Sequence, residues 1–182
     1  MRMVISLSVE TVLGSIALAF FKLFIGLILA IGSIYLGTNL LDRLTRDVDE
    51  WKEIKRGNFA IGILFGGVIL SIAIIIESGV SAALSAIVPG MSFPSLIVSL
   101  FVSVLKLLVG VLAAVFSVYI ALRVIDSMTK DIDELSELKK GNVAMAIVMA
   151  SVMIAVSFVI KSSVDIVMAA TDFSIISDFF GV

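Results

Sequence analysis

Four long apolar segments alternate with short charged segments along the chain. The apolar segments lie at about residues 11–41, 59–83, 95–124 and 143–169. Each is longer than the roughly 20 residues that an α-helix needs to cross a bilayer. None shows the two-residue alternation of a half-buried strand, and lipid admits only helices or closed barrels. The pattern therefore predicts an all-α membrane protein with four transmembrane helices.

The charged segment Asp47–Asn58 recurs 84 residues later as Asp131–Asn142. Nine of 18 positions are identical between Leu41–Asn58 and Ile125–Asn142, without a gap, which indicates a duplication. We therefore predict a first two-helix repeat over residues 1–84, an external turn at 85–94 with both prolines, and a second repeat with a short C-terminal tail over 95–182. Two spans per copy predict two tandem helical hairpins in one orientation, related by an axis along the membrane normal.

Each charged connection has apolar residues at helical spacing, which predicts an amphipathic helix lying on the membrane surface. These residues are Leu44, Val48, Trp51 and Ile54, then Met128, Ile132, Leu135 and Leu138. Gly57 and Gly141 follow basic residues and are expected to end these helices in the left-handed conformation. Asn58 and Asn142 are then expected to cap the next transmembrane helix. The same corner is needed in each repeat.

Basic residues predict the orientation. Nine of the 13 Lys and Arg residues lie in the two repeated connections, and none lies between Glu77 and Ser95. The positive-inside rule therefore places both connections in the cytoplasm and both termini outside the cell membrane.

Composition supports a membrane location and excludes several functions. Hydrophobic residues make up 60% of the 182 residues, charged residues make up 15%, and the mean hydropathy is +1.23. Without Cys or His, the chain has no thiolate or imidazole for metal binding or nucleophilic catalysis, so we expect no enzyme, cofactor or metal. The net charge of −2 argues against nucleic-acid binding. The absence of Gln and the low Asn content favour a thermophilic source.

Four ionisable residues, Lys22, Glu77, Lys106 and Lys161, are expected at a similar depth near the outer ends of the spans. Ionisable groups at membrane depth are candidate functional residues. They could form an intramembrane polar layer for an ion or solute. Alternatively, the lysines could extend to the outer headgroups, which their long side chains allow. Ser33, Tyr35 and their repeat partners Ser117 and Tyr119 could line a polar route, or bond to a neighbouring helix or their own backbone.

Small residues spaced four apart predict close helix packing, either between copies of the chain or within one. They are Gly26, Gly62, Gly66, Gly110, Ala146 and Ala150. The acidic residues of the connections could bind divalent cations, or form a solvated helix face.

The repeated ends "EIKRGN" and "ELKKGN", each followed by a Gly- or Ala-rich span, resemble domain-of-unknown-function family 350. The resemblance covers roughly residues 15–80 and 99–164, and implies a small integral membrane protein with a duplicated two-helix unit. The second half departs from the first at Ala150 and Ser151, which replace Gly66 and Gly67. The family implies no activity and no catalytic residues.

Two functions agree with these observations. An oligomeric channel or small transporter would pass an ion or small solute between copies of the chain, with the polar layer setting selectivity. A structural or accessory protein would instead scaffold a homo-oligomer or a complex with a membrane partner protein through its small-residue faces. We expect contact with the lipid bilayer, a homo-oligomer and, in the scaffold alternative, a possible membrane partner protein.

Overall fold

The computed structural model describes residues 9–44, 50–85, 93–130 and 132–170, and every regular element in these ranges is an α-helix. Four helices are long and apolar enough to cross a membrane, and two are short. In chain order they are α1 Val9–Leu44, α2 Glu50–Lys55, α3 Phe59–Ser85, α4 Phe93–Met128, α5 Glu134–Lys139 and α6 Val143–Ala170. The prediction of an all-α, multi-pass membrane protein is confirmed. The turn predicted at 85–94 and the tail after residue 170 lie mostly or wholly outside the described residues.

The first spanning helix of each repeat is longer than the second. α1 and α4 each contain 36 residues, whereas α3 contains 27 and α6 contains 28. At about 1.5 Å per residue, 36 residues extend about 54 Å, well beyond the roughly 30 Å of bilayer hydrocarbon. α1 and α4 therefore tilt or extend past the hydrocarbon. Pro94 fits in the first turn of α4, where a proline leaves no helical hydrogen bond unmade.

Helix α3 lies at the centre of the packing. It packs most extensively against α6 and α4, and α4 also packs against α6. α1 packs against α3 and, over a smaller area, α4. Within the described ranges, α1 and α6 share no interface of comparable size. The main contacts therefore join the two repeats, around a core that includes Ile61, Ile72, Ile75, Val118 and Met153, each at most 1% exposed.

The small residues predicted to pack divide between two environments. An added Cβ at Gly67 would lie 2.6 Å from Ala150 Cβ, and one at Gly110 would lie 3.2 Å from Gly79 Cα. These positions bring α3 against α6 and against α4. Gly26 is likewise closed in, because an added Cβ would lie 2.8 Å from Leu84 Cδ1.

Gly62 and Gly66 lie in open surroundings, where an added Cβ would meet nothing within 4 Å. Their repeat partners Ala146 and Ala150 are buried, at 0% and 7% exposure. Equivalent faces of α3 and α6 are therefore covered to different extents.

The two corners have the local geometry that the sequence predicts. Gly57 and Gly141 have φ of +82° and +83°, in the left-handed region that favours glycine. Asn58 Oδ1 accepts a hydrogen bond from the Ile61 backbone N–H at 3.2 Å. Asn142 Oδ1 does the same for Met145, also at 3.2 Å. Each Gly-Asn pair therefore ends a short helix and caps a spanning helix.

The short helices differ from the long amphipathic helix predicted in each connection. Met128 ends α4, Ile132 lies outside any helix, and only Leu135 and Leu138 belong to α5. The break arises because Asp133 is a helix N-cap, and its carboxylate accepts a hydrogen bond from the Ser136 backbone N–H at 2.9 Å. In the first repeat Leu44 ends α1, Val48 lies outside the described residues, and Trp51 and Ile54 belong to α2.

Candidate functional site

A polar cleft opens at the ends of α3, α4 and α6 that lie away from the Gly-Asn corners. Its volume is about 290 Å³. The cleft is lined by Glu77, Ser78, Ser81, Ala82, Ser85, Lys106, Lys161, Asp165, Met168 and Ala169. The four ionisable groups in this lining carry two positive and two negative formal charges. Ionisable residues are rare in spans that face lipid, so a cluster of four in these otherwise apolar helices is unusual.

Lys161 joins the two carboxylates of the cleft. Its Nζ lies 3.1 Å from Glu77 Oε2 and 2.9 Å from Asp165 Oδ2. Asp165 is one turn further along α6, whereas Glu77 belongs to α3, so the first contact crosses between repeats. The Lys161 side chain is 26% exposed, and those of Glu77 and Asp165 are 62% and 49% exposed. The ion pairs therefore lie at the open side of the cleft.

Lys106 lies deeper in the wall. It is 5% exposed, and the described residues give it no salt bridge. Its helix passes close to α3 here, since an added Cβ at Gly79 would lie 3.4 Å from the Lys106 carbonyl oxygen. A buried amino group beside a polar cleft is a candidate ligand for an anionic group.

The structure thus brings together three of the four residues of the predicted polar layer: Glu77, Lys106 and Lys161. Lys22 is half-buried on α1 and does not line this cleft.

The serines Ser78, Ser81 and Ser85 supply the remaining polar surface of the cleft, and they were not among the residues predicted from the sequence. Ser81 lies one turn after Glu77, and its repeat partner is Asp165. The sequence signal for Ser81 was its spacing of four residues from Glu77, which places both side chains on the same face of the helix. Ser85 Oγ donates to the Ala82 carbonyl at 2.8 Å, so its hydroxyl is already engaged.

Below the cleft the interior between the helices is closely packed, mainly by apolar side chains but also by the buried serines Ser71 and Ser157. Ile72, Ile75 and Met153 fill it with at most 1% exposure. Ser33 and Ser117 are also buried, at 2% and 0% exposure, and their hydroxyls have no hydrogen-bond partner within the described ranges. A single chain therefore has a polar opening at one end and a closely packed core beneath it.

The two tyrosines face outward. Tyr35 is 67% exposed, and Tyr119 is 46% exposed. The hydroxyl of Tyr119 accepts a hydrogen bond from Arg123 Nε at 3.1 Å, and the Arg123 guanidinium carbon lies 5.4 Å from the ring centroid. Tyr119 therefore contacts a basic residue one turn closer to the corner.

The two corners differ in their side-chain contacts. Asn58 Nδ2 donates to the Leu138 carbonyl at 2.9 Å, so the first corner is joined to α5 of the second repeat. Asn142 Nδ2 instead donates to Glu137 Oε2 of its own repeat at 2.9 Å. The hydrogen bond from Lys140, followed by the smaller effect of the one from Asn142, holds the pKa of Glu137 below its ordinary value of 4.5. The Glu137 carboxylate in turn raises the pKa of Lys140.

Metal binding finds no support in the described part of the chain, which contains no group of three or more metal-ligating residues. The side chains of Asp47, Asp49 and Asp131, acidic residues of the connections, lie outside that part. Glu53 and Glu137 form ion pairs with Arg56 and Lys140, each at 2.8 Å.

Comparison with known proteins agrees with the repeated architecture. No curated protein and no solved structure matches the chain. One family model matches twice, over residues 13–109 and 99–180, and the two matches together cover most of the chain. Its description is Domain of Unknown Function (DUF350). The double match agrees with the 84-residue register of the sequence repeat and with the paired order of long and short helices. The chain is a member of the DUF350 family with an internal duplication.

Proposed function

We propose that the protein is an oligomeric channel or small transporter for an ion or small solute. The observation that carries this proposal is the cleft in which Glu77, Lys106, Lys161 and Asp165 meet at the ends of membrane-spanning helices. Ionisable side chains are costly at such positions and usually mark a binding site or pathway. A purely structural role in lipid does not require four of them in one place.

The packing supports a path between copies rather than through one. The interior of the single chain is filled by Ile72, Ile75 and Met153. The open sides of α3 and α6 instead carry Glu77 and Lys161 near one end, and Leu70 and Ile147 nearer the corners, at 50% and 52% exposure. If a path runs along the junction where these sides meet between copies, a charged entrance leads into an apolar constriction. Channels use both features, the first for selectivity and the second for gating.

The chemistry of the cleft favours a small solute. Its volume of about 290 Å³ lies close to the lower end of the range of about 300–1,000 Å³ for small-molecule pockets. Opposite charges lie within salt-bridge distance, so a solute must compete with the Lys161 ion pairs. An ion, or a small zwitterion with one group for each sign, would satisfy both sides.

The positive-inside rule supports a cell-membrane orientation with the basic corners in the cytoplasm and both termini outside. In this orientation the cleft opens toward the outside, because it lies at the ends of α3 and α6 away from the corners. The cleft would then be the external entrance.

Flux into liposomes tests the proposal. Purified protein in vesicles is assayed for passage of alkali cations, halides and small zwitterionic amino acids. We expect flux of at least one class, reduced about tenfold or more by Glu77→Gln or Lys161→Met, which corresponds to at least about 1.4 kcal/mol. The matched control is Arg56→Met, which removes the exposed Arg56–Glu53 pair at the corner and is expected to leave flux unchanged.

An assembled protein without flux for any of these solutes would contradict the proposal and favour the scaffold. The assembly state is measured on the same vesicles by chemical cross-linking, so a protein that failed to assemble is not mistaken for a scaffold.

A further inference from the structure

The two repeats contact each other through unlike faces. A closed two-fold arrangement would require every contact to occur twice, with the repeats exchanged. The contact of Gly67 with Ala150 would then be matched by one of Gly66 with Ser151. However, Gly66 has nothing within 4 Å of an added Cβ, and Ser151 is exposed. The two repeats therefore meet through different faces, which is a head-to-tail junction. The Gly66 face of α3 and the Ser151 face of α6 remain uncovered.

The corners show the same asymmetry. Asn58 of the first repeat donates to the Leu138 carbonyl of the second. The exchanged contact would join Asn142 to the Ile54 carbonyl, but Asn142 bonds within its own repeat. Leu138 is fully buried, whereas its repeat partner Ile54 is only half-buried.

The first helices of the repeats also differ in coverage. Val111 and Val115 of α4 are 6% and 9% exposed, because α4 packs between α3 and α6. Their repeat partners on α1, Leu27 and Ile31, are 55% and 61% exposed. α4 packs against α6 of its own repeat and against α3 of the preceding repeat. α1 packs against α3 of its own repeat, but the chain contains no preceding repeat to supply the second neighbour. The missing neighbour has the position of an α6 helix.

We propose that a second copy of this chain occupies the uncovered faces and continues the head-to-tail junction. α6 of one copy packs against α3 and α1 of the next, as α3 packs against α6 and α4 within the chain. All copies keep one orientation in the bilayer, so they succeed one another in the membrane plane and form a ring where the rotation closes. This interface goes beyond the proposed transport, because it exists whether or not the assembly conducts.

Side-chain size fits this junction. Inside the chain, the close contact pairs Gly67 with the methyl group of Ala150. Between copies, the equivalent contact pairs Ser151 with Gly66, so each junction contains one glycine and one small side chain. In both junctions the glycine lies on α3 and the larger residue lies on α6, which accounts for the departure of the second repeat from the first at Ala150 and Ser151. The Ser151 hydroxyl already donates to the Ile147 carbonyl at 2.7 Å, so burial leaves no unpaired donor.

Disulfide trapping in the bilayer tests the interface, and the chain has no native cysteine. Gly66→Cys and Ser151→Cys are made in separate, differently tagged copies and oxidised in membranes. Disulfides require Cβ atoms about 3.5–4.5 Å apart, which few surfaces satisfy by chance. We expect covalent dimers when the two variants are mixed and almost none from either variant alone. A copy with both substitutions should give a ladder of covalent multimers.

The control mixture pairs Gly66→Cys with Phe116→Cys, because Phe116 is 59% exposed on the outer side of α4. Efficient dimers from a single variant would show like faces meeting and would overturn the head-to-tail junction. A mixture that cross-links no better than the control would overturn it as well, and lipid would then be the occupant.

A second measurement uses a bulky substitution. Gly66→Leu adds volume where the folded chain has open space, so the single chain should fold normally. At the interface it should weaken assembly by about tenfold or more, which is about 1.4 kcal/mol. The matched control is Gly32→Leu, since Gly32 also has nothing within 4 Å of an added Cβ and its repeat partner is the outward-facing Phe116. Equal assembly of both variants, measured by native mass spectrometry from nanodiscs, would overturn the proposal.

Discussion

The adjacent glycines Gly66 and Gly67 give a direct test of the packing between repeats. An added Cβ at Gly67 would lie 2.6 Å from Ala150 Cβ and 3.0 Å from Ala150 Cα. The first distance is about 1 Å shorter than an ordinary carbon–carbon contact of about 3.5–4.0 Å. At Gly66 the same atom would meet nothing within 4 Å. Substitution by alanine therefore adds the same methyl group at both positions, into a close helix contact at Gly67 and into open space at Gly66.

The expected free-energy difference follows from two effects. Alanine is more favourable than glycine inside a helix by about 0.5–1 kcal/mol, and this gain applies to both positions. Overpacking typically costs about 1–3 kcal/mol, and it applies only to Gly67→Ala. We expect Gly67→Ala to lie about 1–3 kcal/mol below Gly66→Ala in the free energy of unfolding. The helices must separate, because the nearest atoms belong to a methyl group and the backbone rather than to a flexible side chain.

The assay is reversible unfolding in mixed micelles with increasing SDS, at protein concentrations where the chain is monomeric. Ala150→Gly supplies the rescue, since it removes the methyl group that Gly67→Ala would strike. The double variant should recover at least half of the loss, giving a coupling energy of about 0.5 kcal/mol or more between contacting residues. Equal stability of the two alanine variants, or an additive double variant, would refute the close approach of α3 and α6.

Two further predictions concern the corners. Asn58→Ala should destabilise the chain more than Asn142→Ala in the same unfolding assay: each loses an N-cap of about 0.5–2 kcal/mol and one amide hydrogen bond, but Asn58→Ala takes a donor from the carbonyl of the fully buried Leu138 in the other repeat, whereas the Glu137 carboxylate released by Asn142→Ala is partly exposed and can be hydrated; a larger loss for Asn142→Ala would contradict this assignment. The folded-state pKa of Glu137 is lowered, so its contribution to stability is present above the unfolded value near 4.5 and is lost as the pH falls through the folded value; carboxyl NMR should find a Glu137 pKa that rises toward 4.5 in Lys140→Met, and an unchanged pKa would refute the cause.

Much of the architecture could be predicted because lipid leaves few alternatives. A long uncharged segment such as 59–76 must be a helix in hydrocarbon, since no water is present to bond its backbone. The corners were equally predictable, because Gly57 and Gly141 fit a left-handed position and Asn58 and Asn142 are good N-caps. These features depend on residues close together in the sequence.

Features that depend on packing between helices were harder to predict. The repeat placed Lys22 and Lys106 at equivalent positions, but only Lys106 lines the cleft, because α4 has neighbours on two sides and α1 has fewer. Gly62 and Gly66 read as a packing motif, yet they are open in the single chain, where Gly67 makes the close contact. The break before α5 could not be predicted from the spacing of apolar residues, because an acidic residue such as Asp133 also fits an exposed helix face, whereas its carboxylate caps the helix.

The Glu77–Lys161 ion pair has a consequence for the origin of the chain. The two residues occupy the same position in the two repeats and carry opposite charges. Identical subunits with one repeat each would bring like charges together at this level, at an energetic penalty for every neighbour. Two halves within one polypeptide can carry different residues at this position, so the anion of one half pairs with the cation of the other. The divergence of the two halves at this position thus gives one chain an ion pair that two identical halves could not form there.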